Sequence, residues 1–182
     1  MTQAQADQVS QSKLAPQVEQ VLVKEVQLLQ TLSTDATVLT ETRTANDKDK
    51  NLSAGDITSL DATWIGSKKV TPTIQTFMTN PGALALLSFQ KTHPEFKEVF
   101  IADAYGLNVA ETDKTSDFYQ ADEWWWVEGM NGGAGKTLHG NIEFDQSSQT
   151  EAISLYVPVM DGGKAIGMIK GVVDLSSIGA AL

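Results

Sequence analysis

The run Asp117-Phe118-Tyr119-Gln120-Ala121-Asp122-Glu123-Trp124-Trp125-Trp126 holds three of the chain's four tryptophans and three carboxylates within ten residues. Three consecutive tryptophans cannot share one face of a helix or strand, so at least one points away from the main core. A tryptophan offers a wide apolar plane and a single N–H donor, which suits the wall of a ligand pocket as well as a core. Both uses are expected here: packing under a long loop, and at least one ring at a pocket.

Other patterns that could carry chemistry fall short of it. Asp47-Lys48-Asp49-Lys50-Asn51 matches the start of a calcium loop, but the sixth position is Leu52 instead of Gly and the twelfth is Thr58 instead of Glu. A solvated loop is the plainer interpretation. Gly135-Lys136-Thr137 matches the end of a phosphate-binding loop, yet the Gly required five places earlier is Met130. His93 and His139 are the only histidines and do not form a zinc-binding pair. No Gly-x-Ser-x-Gly elbow occurs, and no carboxylates are paired by spacing. The expectation is a protein that is not an enzyme, with no catalytic residues, no metal and no cofactor.

Bulk properties narrow the partners. The 182 residues suit one domain, or one domain with an appended helix. A net charge of −10 argues against nucleic acid and against anionic lipid headgroups. The absence of cysteine excludes disulfides, thiolate metal sites and cysteine nucleophiles. No run of about 18 apolar residues is present to span a bilayer, and no signal peptide opens the chain; both are expected to belong to a longer protein from which this stretch comes.

The elements that position these residues change character near residue 95. Residues 1–13 are polar and are expected to fray or to continue a helix from upstream. Leu14, Val18, Val21, Leu22, Val26, Leu29 and Leu32 recur at steps of three and four, which predicts a helix from near Lys13 into the region Ala36 to Thr44, about 45 Å long. Pro16 falls in its first turn. A polar loop is expected over 45–56, then a short helix capped by Asp56 and carrying Ile57, Leu60 and Trp64. A second short helix starts at Thr71-Pro72, and a third over Ala83 to Gln90 follows the Asn80-Pro81-Gly82 break. Five strands follow: Glu98 to Ala102, Leu107 to Glu111, Leu138 to Phe144, Ala152 to Val159 and Ala165 to Leu175. Asp103-Ala104-Tyr105-Gly106 and Asp161-Gly162-Gly163 are the tight turns, and Gly129 to Gly135 is expected to be a flexible connection. The fold class is α+β, with an antiparallel five-stranded sheet, a long N-terminal helix and short covering helices.

Several of these stretches together resemble one family. Phe100 to Thr112 (FIADAYGLNVAET) is similar to the central hairpin of Cache domains, the extracytoplasmic PAS-like sensors. Asp117 to Trp126 is similar to that family's segment of Tyr, Gln, acidic residues and paired Trp. Phe144 to Ser148 resembles its Asp-x-Ser turn, Tyr156 to Asp161 its Pro-Val-x-Asp strand end, and Ala165 to Asp174 its closing strand. Asp56-Ile57 and Leu60 to Trp64 fit its second helix. The resemblance covers nearly the whole chain and rests on the order and spacing of the motifs together.

The resemblance implies a single-Cache, PAS-like sensor domain over 46–182, packed as one unit with a membrane-proximal signalling helix over 1–45. It implies a periplasmic location in an inner-membrane receptor: a chemoreceptor, a histidine kinase or a cyclic-dinucleotide enzyme. It also implies a small-molecule ligand, and the first helix makes a homodimer plausible. Amino-acid-binding members carry an Arg shortly before the Trp pair; Asp122 or Glu123 stands in its place here. Alternation puts Lys170, Val172 and Asp174 on one face of the closing strand, where Lys170 is either the cation for a small carboxylate or an exposed lysine on a wet face. The candidate ligand-binding residues are Tyr119, Trp124, Trp125, Tyr156, Lys170 and Asp174. A protein-interaction or dimerisation domain without its own small ligand is the alternative.

Overall fold

The computed structural model describes residues 14–145 and 150–179. The N-terminal stripe of Val18, Leu22, Leu29 and Leu32 forms helix α1 (Pro16–Ser33), with Pro16 in its first turn as the spacing predicts. The helical stretch then comes in two segments instead of one. Asp35 takes an extended backbone, and its carboxylate accepts from the N–H groups of Thr37 at 2.8 Å and Val38 at 3.2 Å. That cap starts a new helix, α2 (Ala36–Asp49), because a side chain that satisfies the first free N–H groups makes a fresh helical start cheap.

The polar loop expected over 45–56 is correspondingly shorter. Helix α2 continues to Asp49, and α3 (Ala54–Gly66) is capped by Ser53, with Asp56 at its third position closing a reciprocal capping box. Thr71 caps α4 (Pro72–Thr79), as predicted. Asn80 both ends α4 and starts α5 (Pro81–Thr92): its Oδ1 accepts from the N–H of Ala83 and its Nδ2 donates to the Val109 carbonyl, each at 2.8 Å. The third short helix thus begins two residues earlier than Ala83, with Pro81 in its first turn.

The five strands are β1 (Phe96–Asp103), β2 (Asn108–Glu111), β3 (Leu138–Asp145), β4 (Thr150–Asp161) and β5 (Lys164–Asp174). They form one sheet in the order β2-β1-β5-β4-β3, with every neighbouring pair antiparallel. This is the α+β, PAS-like architecture. The Asp103–Gly106 turn is set by Asp103 Oδ1, which accepts from the N–H groups of Tyr105 and Leu107 at 2.8 and 2.9 Å. Gly106 completes it at φ +79°, a region that side-chain-bearing residues avoid.

One element was not expected. Trp124–Met130 form a short helix, α6, and Gly129 lies inside it instead of in a flexible connection. Gly129 fits because α6 presses on the sheet there; a Cβ on it would come within 3.0 Å of Met168 Sδ. The residues 146–148 of the expected Asp-x-Ser turn, the polar segment 1–13 and the end of the chain at Ala181-Leu182 lie outside the described residues.

The sheet divides the core. Ile101, Ile153, Leu155, Ile169 and Val173 pack with Leu22, Leu29 and Val38 of α1 and α2 on one face. Phe100, Tyr156 and Met168 pack with Trp125 and Met130 of α6 on the other. Trp64, Ile74, Leu107 and Phe118 make a third cluster beneath α3 and α4. Among the described residues no helix is long and apolar enough to cross a membrane.

Candidate ligand-binding site

Register assembles the site's floor. Lys170 on β5 lies opposite Phe100 on β1 and Tyr156 on β4, and Tyr156 lies opposite Leu138 on β3. Directly opposed residues of an antiparallel sheet share a face and sit side by side at about 4.8 Å spacing. Phe100, Lys170, Tyr156 and Leu138 are therefore one row across four strands. The Lys170 ammonium lies over the Phe100 ring, 5.5 Å from its centre, a favourable cation–π arrangement.

Helix α6 covers this row. Successive residues of a helix point about 100° apart, and the three tryptophans separate accordingly. Trp125 turns inward: it is buried, stacks on Tyr156 with ring centres 4.9 Å apart and planes 10° from parallel, and meets the Phe100 ring edge-on at 6.0 Å. Trp124 is half-buried and meets Tyr156 edge-on at 5.7 Å. Trp126 turns to the β1–β2 hairpin, donates its Nε1–H to the Asp103 carbonyl at 3.1 Å, and lines an open cavity of about 430 Å³ with Tyr105, Val127 and Met130.

The electrostatics around the row are dominated by carboxylates. Burial pushes Glu123 above the usual carboxylate range; Asp117 and Asp122 push it further, and Lys170 pulls it back. Asp122 is also raised, by burial first and then by the charges of Asp117 and Asp61. Burial raises the Tyr156 hydroxyl as well, against a hydrogen bond with Ser154. The site thus pairs one ammonium with several carboxylates beside four aromatic side chains, Phe100, Tyr156, Trp124 and Trp125.

Four of the six residues predicted from sequence come together here: Trp124, Trp125, Tyr156 and Lys170. The other two are placed differently. Tyr119 packs with the Trp64–Phe118 cluster, and its backbone N–H is held by Asp61 Oδ1 at 3.0 Å. Asp174 shares the Lys170 face by alternation but sits four residues, about 13 Å, along the strand. Its Oδ1 accepts from the Ser176 N–H at 2.9 Å and the Ser176 hydroxyl at 2.7 Å, and its Oδ2 from the Ser177 hydroxyl at 2.8 Å, with Lys97 at 3.6 Å. Burial raises its pKa, but these partners outweigh that and hold it down at about 2. It caps the turn that follows the sheet. Phe100 and Glu123 belong beside Lys170 and were not among the predicted set. Phe100 was recoverable by pairing the two strands in register; Glu123 depends on the packing of α6, which no periodicity announced.

Among the described residues no group of three or more acidic or histidine side chains is placed to hold a metal ion.

No protein-family model matches the sequence, and no curated protein matches it. Solved structures of similar shape exist at low identity. The sensory domain of a Campylobacter jejuni chemoreceptor with isoleucine bound is 14% identical over 91% of this chain and 66% of its own, with a TM-score of 0.40. The sensor domain of the Vibrio cholerae histidine kinase DctB is 14% identical over 89% of this chain and 59% of its own, at 0.41. The ligand-binding domain of the Pseudomonas fluorescens chemoreceptor CtaA, in complex with L-serine, is 16% identical over 69% of this chain and 52% of its own, at 0.40. The chain spans between about half and two thirds of the length of these proteins. Such likenesses are too remote to bear on ligand or role, and what defines the molecule is its own geometry: a PAS-like sheet of order 2-1-5-4-3, with helices α1 and α2 on one face and a tryptophan-bearing cover over a lysine–aromatic row on the other.

Proposed function

We propose that this chain is a single-Cache sensor domain, the extracytoplasmic ligand-binding part of a bacterial transmembrane receptor such as a chemoreceptor or histidine kinase. The observation that carries the proposal is the Phe100–Lys170–Tyr156 row under Trp124 and Trp125. Aromatic walls around one charged, half-buried side chain are the usual make-up of a small-molecule site. Lys170 would take a carboxylate of a small metabolite such as a short organic acid, in surroundings where a charge pair is stronger than in water. Residues 46–182 would act as the sensor unit and the N-terminal helix would carry the signal toward the membrane, through a bias between two arrangements of cover and sheet.

A second ligand class has its own support. Asp117, Asp122 and Glu123 outnumber Lys170 at this end of the sheet, which favours a protonated amine, alone or on the same molecule as the carboxylate.

A thermal-shift screen of short carboxylates, amines and sugars tests both classes, with Lys170→Met and Glu123→Gln run beside the wild type. Carboxylate hits lost in Lys170→Met support the first class, and amine hits lost in Glu123→Gln support the second. Hits untouched by both variants and by Trp124→Ala would place the ligand elsewhere. No hit in any class would favour the alternative, an interaction domain that dimerises through α1 without a small ligand.

A further inference from the structure

A second cavity lies apart from the tryptophan cover. It measures about 570 Å³ and is bounded by the end of α2, by α3 and α4, and by Phe118. Pockets for small molecules run from roughly 300 to 1,000 Å³, so it has room for one. It shares no residue with the row of Phe100, Lys170 and Tyr156.

Its walls are apolar and fixed. Trp64, Phe77 and Phe118 pack ring on ring, with centres 5.1 to 5.5 Å apart. The Trp64 Nε1–H donates to the Thr115 carbonyl at 3.0 Å, and Asp61 Oδ1 accepts from the Phe118 N–H at 2.8 Å, so α3 is clamped to the stretch after β2. Trp64 alone of α3 is buried. Leu60, one turn before it, lines the cavity and is 43% exposed, apolar surface that an occupant would cover. The hydroxyls of Thr63, Ser67 and Thr76 are spent on backbone carbonyls of α3 and α4.

At the α2 end of this cavity stands one buried charge. Asp49 lines it and is 8% exposed. Among the described residues, no N–H group and no serine or threonine hydroxyl is hydrogen-bonded to its carboxylate. Lys48 is exposed and makes no ion pair with it, and burial raises Asp49 above the usual carboxylate range by more than Lys48 pulls it back. Asp103, its other charged neighbour, offers no bond: its Oδ1 is taken by the N–H groups of Tyr105 and Leu107, and its Oδ2 has no partner. A buried carboxylate without a cation is costly, and a ligand ammonium removes that cost.

We propose that this cavity is a second ligand site, for a protonated amine carried on a small apolar body: Asp49 takes the ammonium, and the wall of Trp64, Phe77 and Phe118 takes the apolar part. Aromatic faces attract a cation as well as hydrocarbon, so the wall and the carboxylate select the same molecule. A carboxylate of the same shape is repelled by Asp49, and a neutral one leaves Asp49 without a counter-charge. The site stands independently of what binds beneath Trp124.

Isoleucine-methyl NMR reads the site directly. Ile74 lines the cavity, whereas Ile153 and Ile169 lie in the core against α1 and α2. Phenethylamine, titrated near neutral pH, is expected to shift the Ile74 methyl saturably and to leave Ile153 and Ile169 in place. Hydrocinnamate, the same ring and chain length ending in a carboxylate, is expected to leave Ile74 unmoved. Asp49→Asn keeps the shape and removes the charge, and should weaken phenethylamine at least tenfold; Leu60→Trp, at an exposed position on the wall, should block it. Lys170→Met, Glu123→Gln and Trp124→Ala should bind it at Ile74 as the wild type does. No shift of Ile74 at millimolar phenethylamine overturns the proposal. So does an equal response to hydrocinnamate, or a shift that persists unchanged in Asp49→Asn and Leu60→Trp, or one that is lost in Glu123→Gln instead.

Discussion

Trp125→Ala distinguishes a cover that is part of the core from one that only lines a site. Trp125 is 3% exposed and sits between the stacked Tyr156 ring and the edge of Phe100. Removing a buried tryptophan costs about 3–5 kcal/mol, of which each lost aromatic pair accounts for about 0.5–1.5 kcal/mol. At about 2–4 °C per kcal/mol for a domain of this size, the melting temperature should fall by roughly 10 °C. Trp124→Ala removes a half-buried ring with one aromatic neighbour and should cost about 1–2 kcal/mol, near half the burial value of a large side chain. Urea unfolding of both variants, followed by far-ultraviolet circular dichroism, measures the difference at constant slope. A Trp125→Ala loss below about 1 kcal/mol, or a larger loss for Trp124→Ala, would refute the inward placement of Trp125. The same reasoning makes Trp125→Ala a poor probe of ligand binding and Trp124→Ala a better one.

Three further outcomes follow from the structure. Burial raises Asp103 and Glu111 to about 7, so each binds its proton more tightly folded than unfolded, and their stabilising contribution is full below about pH 4 and lost as pH rises to about 7. Asp174, held at about 2, acts oppositely and loses its contribution only as pH falls from about 4 toward 2; calorimetry should therefore find a higher melting temperature at pH 5 than at pH 8. Asn80→Ala removes the cap of α5 and the bond to the Val109 carbonyl together, and should cost about 2 kcal/mol in denaturant unfolding, the upper end for a cap. Gly106→Ala should destabilise by more than about 3 kcal/mol, because its φ is +79° and a Cβ would come within 2.6 Å of the Ala121 backbone nitrogen; soluble yield and melting temperature check it.

The parts of the fold that were legible in the sequence are those whose signals are local. Thr71-Pro72, Asp103–Gly106 and Asp161–Gly163 announce a helix start and two turns by residue type alone, and the five strands follow from the apolar runs between them. Helix boundaries were misplaced where two caps competed. Ser53 and Asp56 are both good caps, and only the reciprocal bonding shows Ser53 first; Asp35 is a cap hidden within an apolar stripe that continues on either side of it. Helix α6 was illegible because seven residues carry too little periodicity and its aromatic residues suit strand or helix equally. In the site, Lys170 was found because alternation fixes the face of a strand residue, and Tyr156 through the resemblance of its strand end. Asp174 lies on that same face, but alternation says nothing of distance along the strand or of the two serines it caps. Tyr119 was grouped with the tryptophans by proximity in sequence, whereas Asp61 holds its backbone N–H and its side chain packs with the Trp64 cluster.

The row of Phe100, Lys170 and Tyr156 beneath Trp124 is the proposed seat of a small molecule. Isothermal titration of the strongest thermal-shift hit into wild type, Trp124→Ala, Lys170→Met and Glu123→Gln tests it most directly. Saturable one-site binding to the wild type is expected, weakened at least tenfold by Trp124→Ala and by one of the two charge variants, with folding intact. Equal affinity across all four proteins would contradict it.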